Sequence, residues 1–170
     1  YLQRARISPD IESSCFYLSQ PIANRQHGMT LRATLSASGV PLCTAESSCN
    51  RDLESLLRLS IPSTGRRYWS TRDPFLYDLE IELIDANGAA VDAVRSYAGL
   101  RGITIDKKAI RINGEAIFQR LVLDQGYYPD GIMTAPSEEA LIHDIEISLA
   151  AGFNGARLHQ KVFEERFLYH

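Results

Sequence analysis

Three segments of the chain alternate apolar and polar residues with a period of two. The alternation is unbroken through residues 29–36 and recurs at residues 57–61 and 77–83. This period places one set of side chains on a buried face and the other in water, as in a half-buried β-strand. Weaker strand patterns lie near residues 3–7, 14–19, 40–46 and 89–98. About seven short strands separated by turn residues predict an immunoglobulin-like β-sandwich over residues 1–101.

The pattern changes after Gly102. Short apolar segments at residues 103–105 and 110–112 predict two more strands, and a further strand of mixed character is predicted over residues 116–123. A loop rich in Gly, Tyr and Pro, residues 126–136, then separates this strand from a helix.

The helix is predicted between Ser137 and Gly152. Ser137 is a typical N-cap, and Glu138 and Glu139 occupy the first turn, where the helix dipole favours anions. One apolar face contains Leu141, Ile142, Ile145 and Leu149. Gly152 is expected to end the helix as a C′ glycine, and residues 155–159 are expected to form a short strand. Strand, loop, helix and strand make one βαβ unit with parallel pairing.

One βαβ unit is too small to close a core. A complete (β/α)₈ barrel takes about 250 residues, whereas this chain has 170 and stops within the pattern of a second helix. The expected fold class is therefore mainly β. It consists of an immunoglobulin-like β-sandwich over residues 1–101 and an incomplete TIM-barrel segment over residues 102–170.

Charge and the length of apolar runs argue against nucleic acid and membranes as partners. The net charge is −3, and Lys and Arg are scattered, so there is no electrostatic reason to expect nucleic acid. No apolar run approaches the ~20 residues needed to span a bilayer, so no membrane partner is expected. The chain begins at Tyr1 rather than Met, which leaves its localisation open.

The three cysteines, Cys15, Cys43 and Cys49, lack the spacing of metal ligands. We expect neither a metal nor another cofactor. Free thiols packed as small hydrophobic side chains are the first interpretation. A disulfide between Cys43 and Cys49 is the alternative.

Five short motifs occur in a characteristic order. They are residues 68–77 (YWSTRDPFLY), 96–101 (SYAGLR), 112–114 (ING), 123–131 (LDQGYYPDG) and 152–161 (GFNGARLHQK). Together they resemble glycoside hydrolase family 2, the family of β-galactosidases, β-glucuronidases and β-mannosidases. The resemblance implies an Ig-like domain followed by the start of the catalytic barrel of a retaining β-glycosidase, whose substrate is a carbohydrate.

The resemblance also implies that no catalytic residue lies in this chain. Retaining glycosidases need two carboxyl groups about 5–5.5 Å apart. In this family both are glutamates at the ends of the fourth and seventh barrel strands, which would follow His170. Among local carboxylates, Asp144 and Glu146 are expected on a solvated helix face. The chain alone is therefore expected to be inactive.

Five residues are expected to remain from the rim of the sugar pocket: Asp124, Gln125, Arg157, His159 and Gln160. Asp124 ends the predicted first barrel strand, where barrel enzymes keep their sites. Arg157 aligns with a family arginine that supports the nucleophile; the alternative is a structural pair with Asp124 or a loop carbonyl. Gln125 and Gln160 stand where β-galactosidases of the family have histidines.

Other positions carry weaker signals. Leu121 replaces a usual glycine and is expected to crowd the barrel interior or its packing. Trp69 belongs to a motif at the domain boundary and is expected in the core rather than on a sugar. Tyr127 and Tyr128 remain candidates for stacking on sugars. The two histidines outside any pattern, His27 and His143, are expected to serve surface or packing roles.

A second hypothesis is a non-catalytic Ig-like binding or scaffold module with a C-terminal α/β appendage. Residues 152–161 distinguish the two hypotheses, because an appendage would not need the barrel motif found there. Unpaired strand edges and an uncovered helix face lead us to expect self-association of this piece, or disorder after about residue 102.

Overall fold

The computed structural model of the protein describes residues 1–50 and 54–170, which form two compact units, Tyr1–Ala116 and Ile117–His170. The strands of the first unit are β1 (Arg6–Asp10), β2 (Cys15–Pro21), β3 (Thr30–Ala37), β4 (Val40–Ser48), β5 (Glu54–Ser60), β6 (Tyr77–Ile84), β7 (Ala90–Ala98), β8 (Ile103–Asp106) and β9 (Ala109–Ile112). Strand β10 (Glu115–Ile117) lies at the boundary. The second unit contains β11 (Leu121–Asp124), α1 (Glu138–Ala150), β12 (Gly155–Leu158) and α2 (Glu165–Tyr169). The division predicted at residue 102 remains a prediction.

All seven strands predicted before residue 102 are present, although β1 begins three residues later than the pattern near residues 3–7 indicated. They form two antiparallel sheets in the orders β1-β2-β5 and β4-β3-β6-β7. Strands β8, β9 and β10 form a third sheet in the order β10-β9-β8. The described chain is therefore mainly β.

The first two sheets share one hydrophobic core. Leu31 and Leu35 of β3 lie opposite Leu83 and Leu79 of β6, and all four are buried. The fully buried Phe16 of the other sheet belongs to the same core. Burial of each such side chain contributes about 1.5–3 kcal/mol. A one-residue slip of the register would turn the whole set outward, so the alternation read from the sequence also fixes the pairing.

Tyr77 connects this core to the long segment between β5 and β6. Its side chain is fully buried and meets the rings of Phe16 and Phe75 edge-on. Its hydroxyl accepts a hydrogen bond from the Arg67 N–H at 2.6 Å, and the Gly65 and Arg67 carbonyls, each 3.0 Å away, can accept its proton. Burial raises the pKa of the Tyr77 hydroxyl. One buried side chain thus holds the backbone that leads into β6.

Asn113, which directly follows β9, holds the backbone of the segment after β7 in a similar way. Its side chain accepts a hydrogen bond from the Gly102 N–H at 3.0 Å and donates to the Trp69 carbonyl at 2.9 Å. Its backbone N–H donates to the Gly102 carbonyl at 2.8 Å. Trp69 is half-buried, and the Arg101 guanidinium lies 4.3 Å from its ring centroid. Trp69 is therefore partly exposed beneath a cation, rather than a residue of the hydrophobic core as its motif led us to expect.

The predicted βαβ unit is confirmed. Strands β11 and β12 pair in parallel, from Leu121 with Gly155 to Asp124 with Leu158. The Ser137 hydroxyl caps α1 by accepting from the Ala140 N–H at 3.3 Å. At the other end Gly152 has a φ of +88°, and the N–H groups of residues 152 and 153 close a Schellman motif on the carbonyls of residues 149 and 148.

The single strand predicted over residues 116–123 is wrong. Strand β10 ends at Ile117 and β11 begins at Leu121. Asn154 forms hydrogen bonds with three backbone groups of the segment between these strands. Its side chain donates to the Phe118 carbonyl and accepts from the Arg120 N–H, and its own N–H donates to the Arg120 carbonyl. These bonds, 2.8–3.0 Å long, replace a continuous strand ladder.

The apolar face of α1 is only partly covered. Leu141 is buried beside Phe163 and Phe167 in a small second core. Leu149, predicted for the same face, is 58% exposed, and Ile147 is 52% exposed. The helix therefore packs against the second core mainly through its N-terminal half.

Other sequence expectations are also settled. Cys15, Cys43 and Cys49 are free, so the alternative disulfide is absent. His27 and His143 are exposed. Over residues 1–50 and 54–170, neither helix is long and apolar enough to cross a bilayer.

We expect Tyr77→Phe to lower the free energy of unfolding by about 1–3 kcal/mol, because it leaves the Arg67 N–H without its partner at a half-buried site. Urea denaturation measures the change. Tyr17→Phe is the matched control, since the Tyr17 side chain is 47% exposed and its loss should have little effect. Equal unfolding midpoints for Tyr77→Phe and the unsubstituted chain would contradict this role.

Candidate functional site

The C-terminal ends of β11 and β12 lie side by side because the two strands are parallel and in register. All five residues predicted for the rim lie at this edge of the sheet. Asp124 ends β11 and Gln125 follows it, whereas Arg157 lies in β12 and His159 and Gln160 follow that strand. The tertiary structure thus brings together two segments more than thirty residues apart in the sequence.

Three of the five residues are linked by hydrogen bonds. The Asp124 carboxylate accepts from the Gly126 N–H at 2.7 Å, and the Asp124 carbonyl accepts from the His159 N–H at 2.8 Å. The Gln125 amide lies 3.4 Å from Nδ1 of His159. The carboxylate is half-buried and Gln125 is exposed. This group presents a carboxylate, an amide and an imidazole, which are suitable partners for hydroxyl groups.

Arg157 and Gln160 lie at the same edge without joining this group. Arg157 is exposed and, within the described parts of the chain, forms no ion pair or hydrogen bond. The alternative pair of Arg157 with Asp124 or a loop carbonyl is therefore not formed. Gln160 is also exposed, and its φ of +60° lies in the left-handed region. Both side chains remain available to bind groups outside this unit.

Asp144 differs from its expected solvated state. It is half-buried, and its carboxylate accepts a hydrogen bond from the Tyr128 hydroxyl at 2.8 Å. Burial, together with this bond, raises the pKa of Tyr128. Asp124 and Asp144 contribute to one cleft of about 240 Å³, lined also by Val122, Leu123, Ile147 and Ser148. Tyr128, a candidate for stacking on a sugar, instead holds the loop after β11 against α1.

Sequence reasoning assigned no role to Lys161, the last residue of the motif at residues 152–161. Its ammonium donates to the carbonyls of Met133 and Gly126, at 2.7 and 3.2 Å. A lysine beside a glycine-rich loop has no pattern of its own, so only the structure reveals these bonds. Across residues 1–50 and 54–170, no three His, Cys, Asp or Glu side chains converge where they could hold a metal ion.

Leu121 was expected to crowd its surroundings, and Gly155 on the neighbouring strand explains how it is accommodated. The two residues lie opposite each other across the parallel pair. A Cβ atom on residue 155 would lie 2.8 Å from Cδ2 of Leu121, which is closer than side chains normally approach. The absence of a side chain at Gly155 therefore leaves the space that Leu121 occupies.

Comparison with known proteins identifies relatives of this chain. The family model described as glycosyl hydrolases family 2 matches residues 24–101. The β-galactosidase of Lactococcus lactis subsp. lactis is 35% identical over 91 residues, which are 54% of this chain and 9% of that protein. The β-galactosidase of Psychromonas ingrahamii is 29% identical over 100 residues, 59% of this chain and 9% of that protein.

The fold also has solved counterparts. The β-glucuronidase from Ruminococcus gnavus in complex with D-glucuronic acid superposes with a TM-score of 0.79 at 16% identity. The match covers 99% of this chain and 27% of that one. The chain thus spans only a small part of the proteins it matches. Its sequence is similar to that of glycosyl hydrolases family 2, and its fold is similar to that of a β-glucuronidase.

We expect Gly155→Ala to destabilise the second unit by at most about 1 kcal/mol, because its Cβ atom would displace Cδ2 of Leu121, the far end of a side chain that is 42% exposed. Leu121→Ala in the same chain should relieve the overlap, so a double-mutant cycle in urea denaturation should give a coupling energy of about 0.5 kcal/mol or more. Gly152→Ala serves as a control: it costs about 1 kcal/mol through its positive φ, and Leu121→Ala should not relieve it. Strictly additive effects for residues 121 and 155 would contradict the packing described.

Proposed function

We propose that this chain is a piece of a retaining β-glycosidase that hydrolyses O-glycosidic bonds of a carbohydrate. The observation that carries the proposal is the edge formed by β11 and β12, where a carboxylate, an amide, an imidazole and an exposed arginine meet on a βαβ unit. The relatives support it, since they are named β-galactosidases and β-glucuronidases. The alternative of a non-catalytic module has no comparable support.

In this proposal the first unit is an Ig-like support domain. Its two sheets, β1-β2-β5 and β4-β3-β6-β7, share one core in the manner of that sandwich. Tyr77 adds a more specific feature. A tyrosine at the start of the sixth strand whose hydroxyl bonds to the backbone of the preceding connection is typical of Ig-like domains.

The second unit is then the beginning of the catalytic barrel. Parallel strands joined by a helix are the repeating unit of that fold, and barrel enzymes place their sites at the C-terminal ends of the strands. The incompletely covered residues Leu123, Ile147 and Leu149 support this assignment, because a finished barrel would bury such a surface. Further strands would pair with the free edges of β11 and β12.

The five rim residues then have distinct roles. Asp124, Gln125, His159 and Gln160 bind sugar hydroxyl groups, and Arg157 holds a catalytic carboxylate supplied by a later strand, because its planar fork suits a carboxylate. Double displacement needs two carboxyl groups about 5–5.5 Å apart. The rim has only Asp124 in such a position, so the 170-residue chain by itself is inactive.

We expect residues 1–170 to show no turnover of 4-nitrophenyl β-D-galactoside or β-D-glucuronide above the buffer rate, because the second carboxyl group is lacking. Release of 4-nitrophenol measures this. A rate that rises with protein concentration and disappears in Asp124→Asn would contradict the expectation.

An independent check is the reading frame after the codon for His170. It should encode two further glutamates at strand ends, and a stop codon there would contradict the proposal.

We also propose that the isolated chain self-associates through the uncovered side of α1. Sedimentation velocity should show a mean mass that rises with protein concentration, and Leu149→Lys should reduce the rise because it places a charge on the apolar surface. Leu56→Lys is the matched control, since Leu56 is 69% exposed but lies in β5. A constant monomer mass for the unsubstituted chain would contradict this.

A further inference from the structure

The segment after β12 is fastened to the loop after β11 by one side chain. The Lys161 ammonium donates to the Met133 carbonyl at 2.7 Å and to the Gly126 carbonyl at 3.2 Å. It also lies 4.6 Å from the ring centroid of the buried Phe163. Within the described residues its charge has no carboxylate partner. The ammonium group therefore forms its charge-assisted hydrogen bonds with carbonyl oxygens of the loop.

Gly126 is shaped to receive this lysine. It is buried, its φ is +62°, and a Cβ atom there would lie 2.5 Å from both Cε and Nζ of Lys161. Any side chain at residue 126 would therefore displace the lysine stem. The glycine permits both the left-handed backbone and the close passage of Lys161.

Gly126 also touches the rim directly. Its N–H donates to the Asp124 carboxylate at 2.7 Å, while its carbonyl accepts from Lys161. A second connection runs in parallel, because the His159 N–H donates to the Asp124 carbonyl. Lys161 follows His159 by two residues, so these bonds close a ring that includes both rim segments. A shift of Lys161 would move Gly126 and, with it, the donor that orients the Asp124 carboxylate.

From this geometry we propose that Lys161 is a positioning residue of the sugar-binding rim. It holds the loop of residues 126–133 so that Asp124 and Gln125 keep a fixed orientation toward the sugar. This inference rests on the proposed glycosidase function, but the anchoring of the loop is measurable without it. Within residues 1–50 and 54–170, the hydrogen bonds and the ring contact of Lys161 go to the loop and to Phe163, so its effect on a sugar passes through Gly126.

The anchoring is tested on residues 1–170 by amide hydrogen exchange. Lys161→Met keeps the length of the stem and removes the charge, and Lys108→Met in the exposed turn between β8 and β9 is the matched control. We expect Lys161→Met to lower protection at Gly126, Tyr128 and Ile132 by about ten-fold, because a charged hydrogen bond is lost. The residue 108 control should leave protection there unchanged. Unchanged protection in Lys161→Met would overturn the inference.

The effect on the sugar is tested in the full-length polypeptide that carries this chain, with the two 4-nitrophenyl glycosides. Lys161→Met should raise KM and lower kcat/KM by about ten-fold, and Lys161→Arg should restore part of both, since it keeps the positive charge. Ser137→Ala, which removes the cap of α1, controls for destabilisation of the same unit and should leave KM unchanged.

The outcomes separate the two proposals. An active unsubstituted enzyme whose KM is the same in Lys161→Met would overturn the positioning role alone. So would an equal change of KM in Lys161→Met and Ser137→Ala, because both would then act only through stability. An inactive unsubstituted polypeptide would overturn the proposed function and the positioning role with it.

Discussion

The first unit depends on the buried hydroxyl of Tyr77. This single group serves the Arg67 N–H and lies within reach of two carbonyls, while its ring fills the space between Phe16 and Phe75. A buried polar group of this kind is costly when unpaired, so the backbone before β6 must follow the path that pairs it. The long connection from one sheet to the other is thereby fixed by the core rather than by its own secondary structure.

Two asparagines perform corresponding tasks elsewhere. Asn113 binds the backbone of Gly102 and Trp69, and Asn154 binds that of Phe118 and Arg120. An asparagine side chain carries both a donor and an acceptor, so it can satisfy two backbone groups that no strand ladder reaches. Both residues lie in motifs that the sequence analysis singled out, residues 112–114 and 152–161. Their contacts give those motifs a physical role in joining segments, independent of any sugar.

The candidate rim follows from parallel pairing. Because β11 and β12 run in the same direction, the residues after each strand meet at one edge, and local hydrogen bonds then orient Asp124, Gln125 and His159. Within the described parts of the chain, the side chains of Arg157 and Gln160 form no hydrogen bond or ion pair there, which leaves them available for groups contributed from elsewhere. Lys161 and Gly126 explain how this edge keeps its shape although its own strands have only four residues each.

The sequence by itself determined the strands of the first unit, the capped helix α1 and the parallel βαβ unit, because each depends on local periodicity or on turn chemistry. The five rim residues were predicted instead from the resemblance to glycoside hydrolase family 2, combined with the expected parallel pairing of the two strands. Local reasoning failed over residues 116–123, where Asn154, distant in sequence, interrupts the strand. It also missed Tyr77, Asp144 and Lys161 as bonded groups. Their partners lie 10, 16, 28 and 35 residues away, and only tertiary packing decides which polar groups meet at such separations.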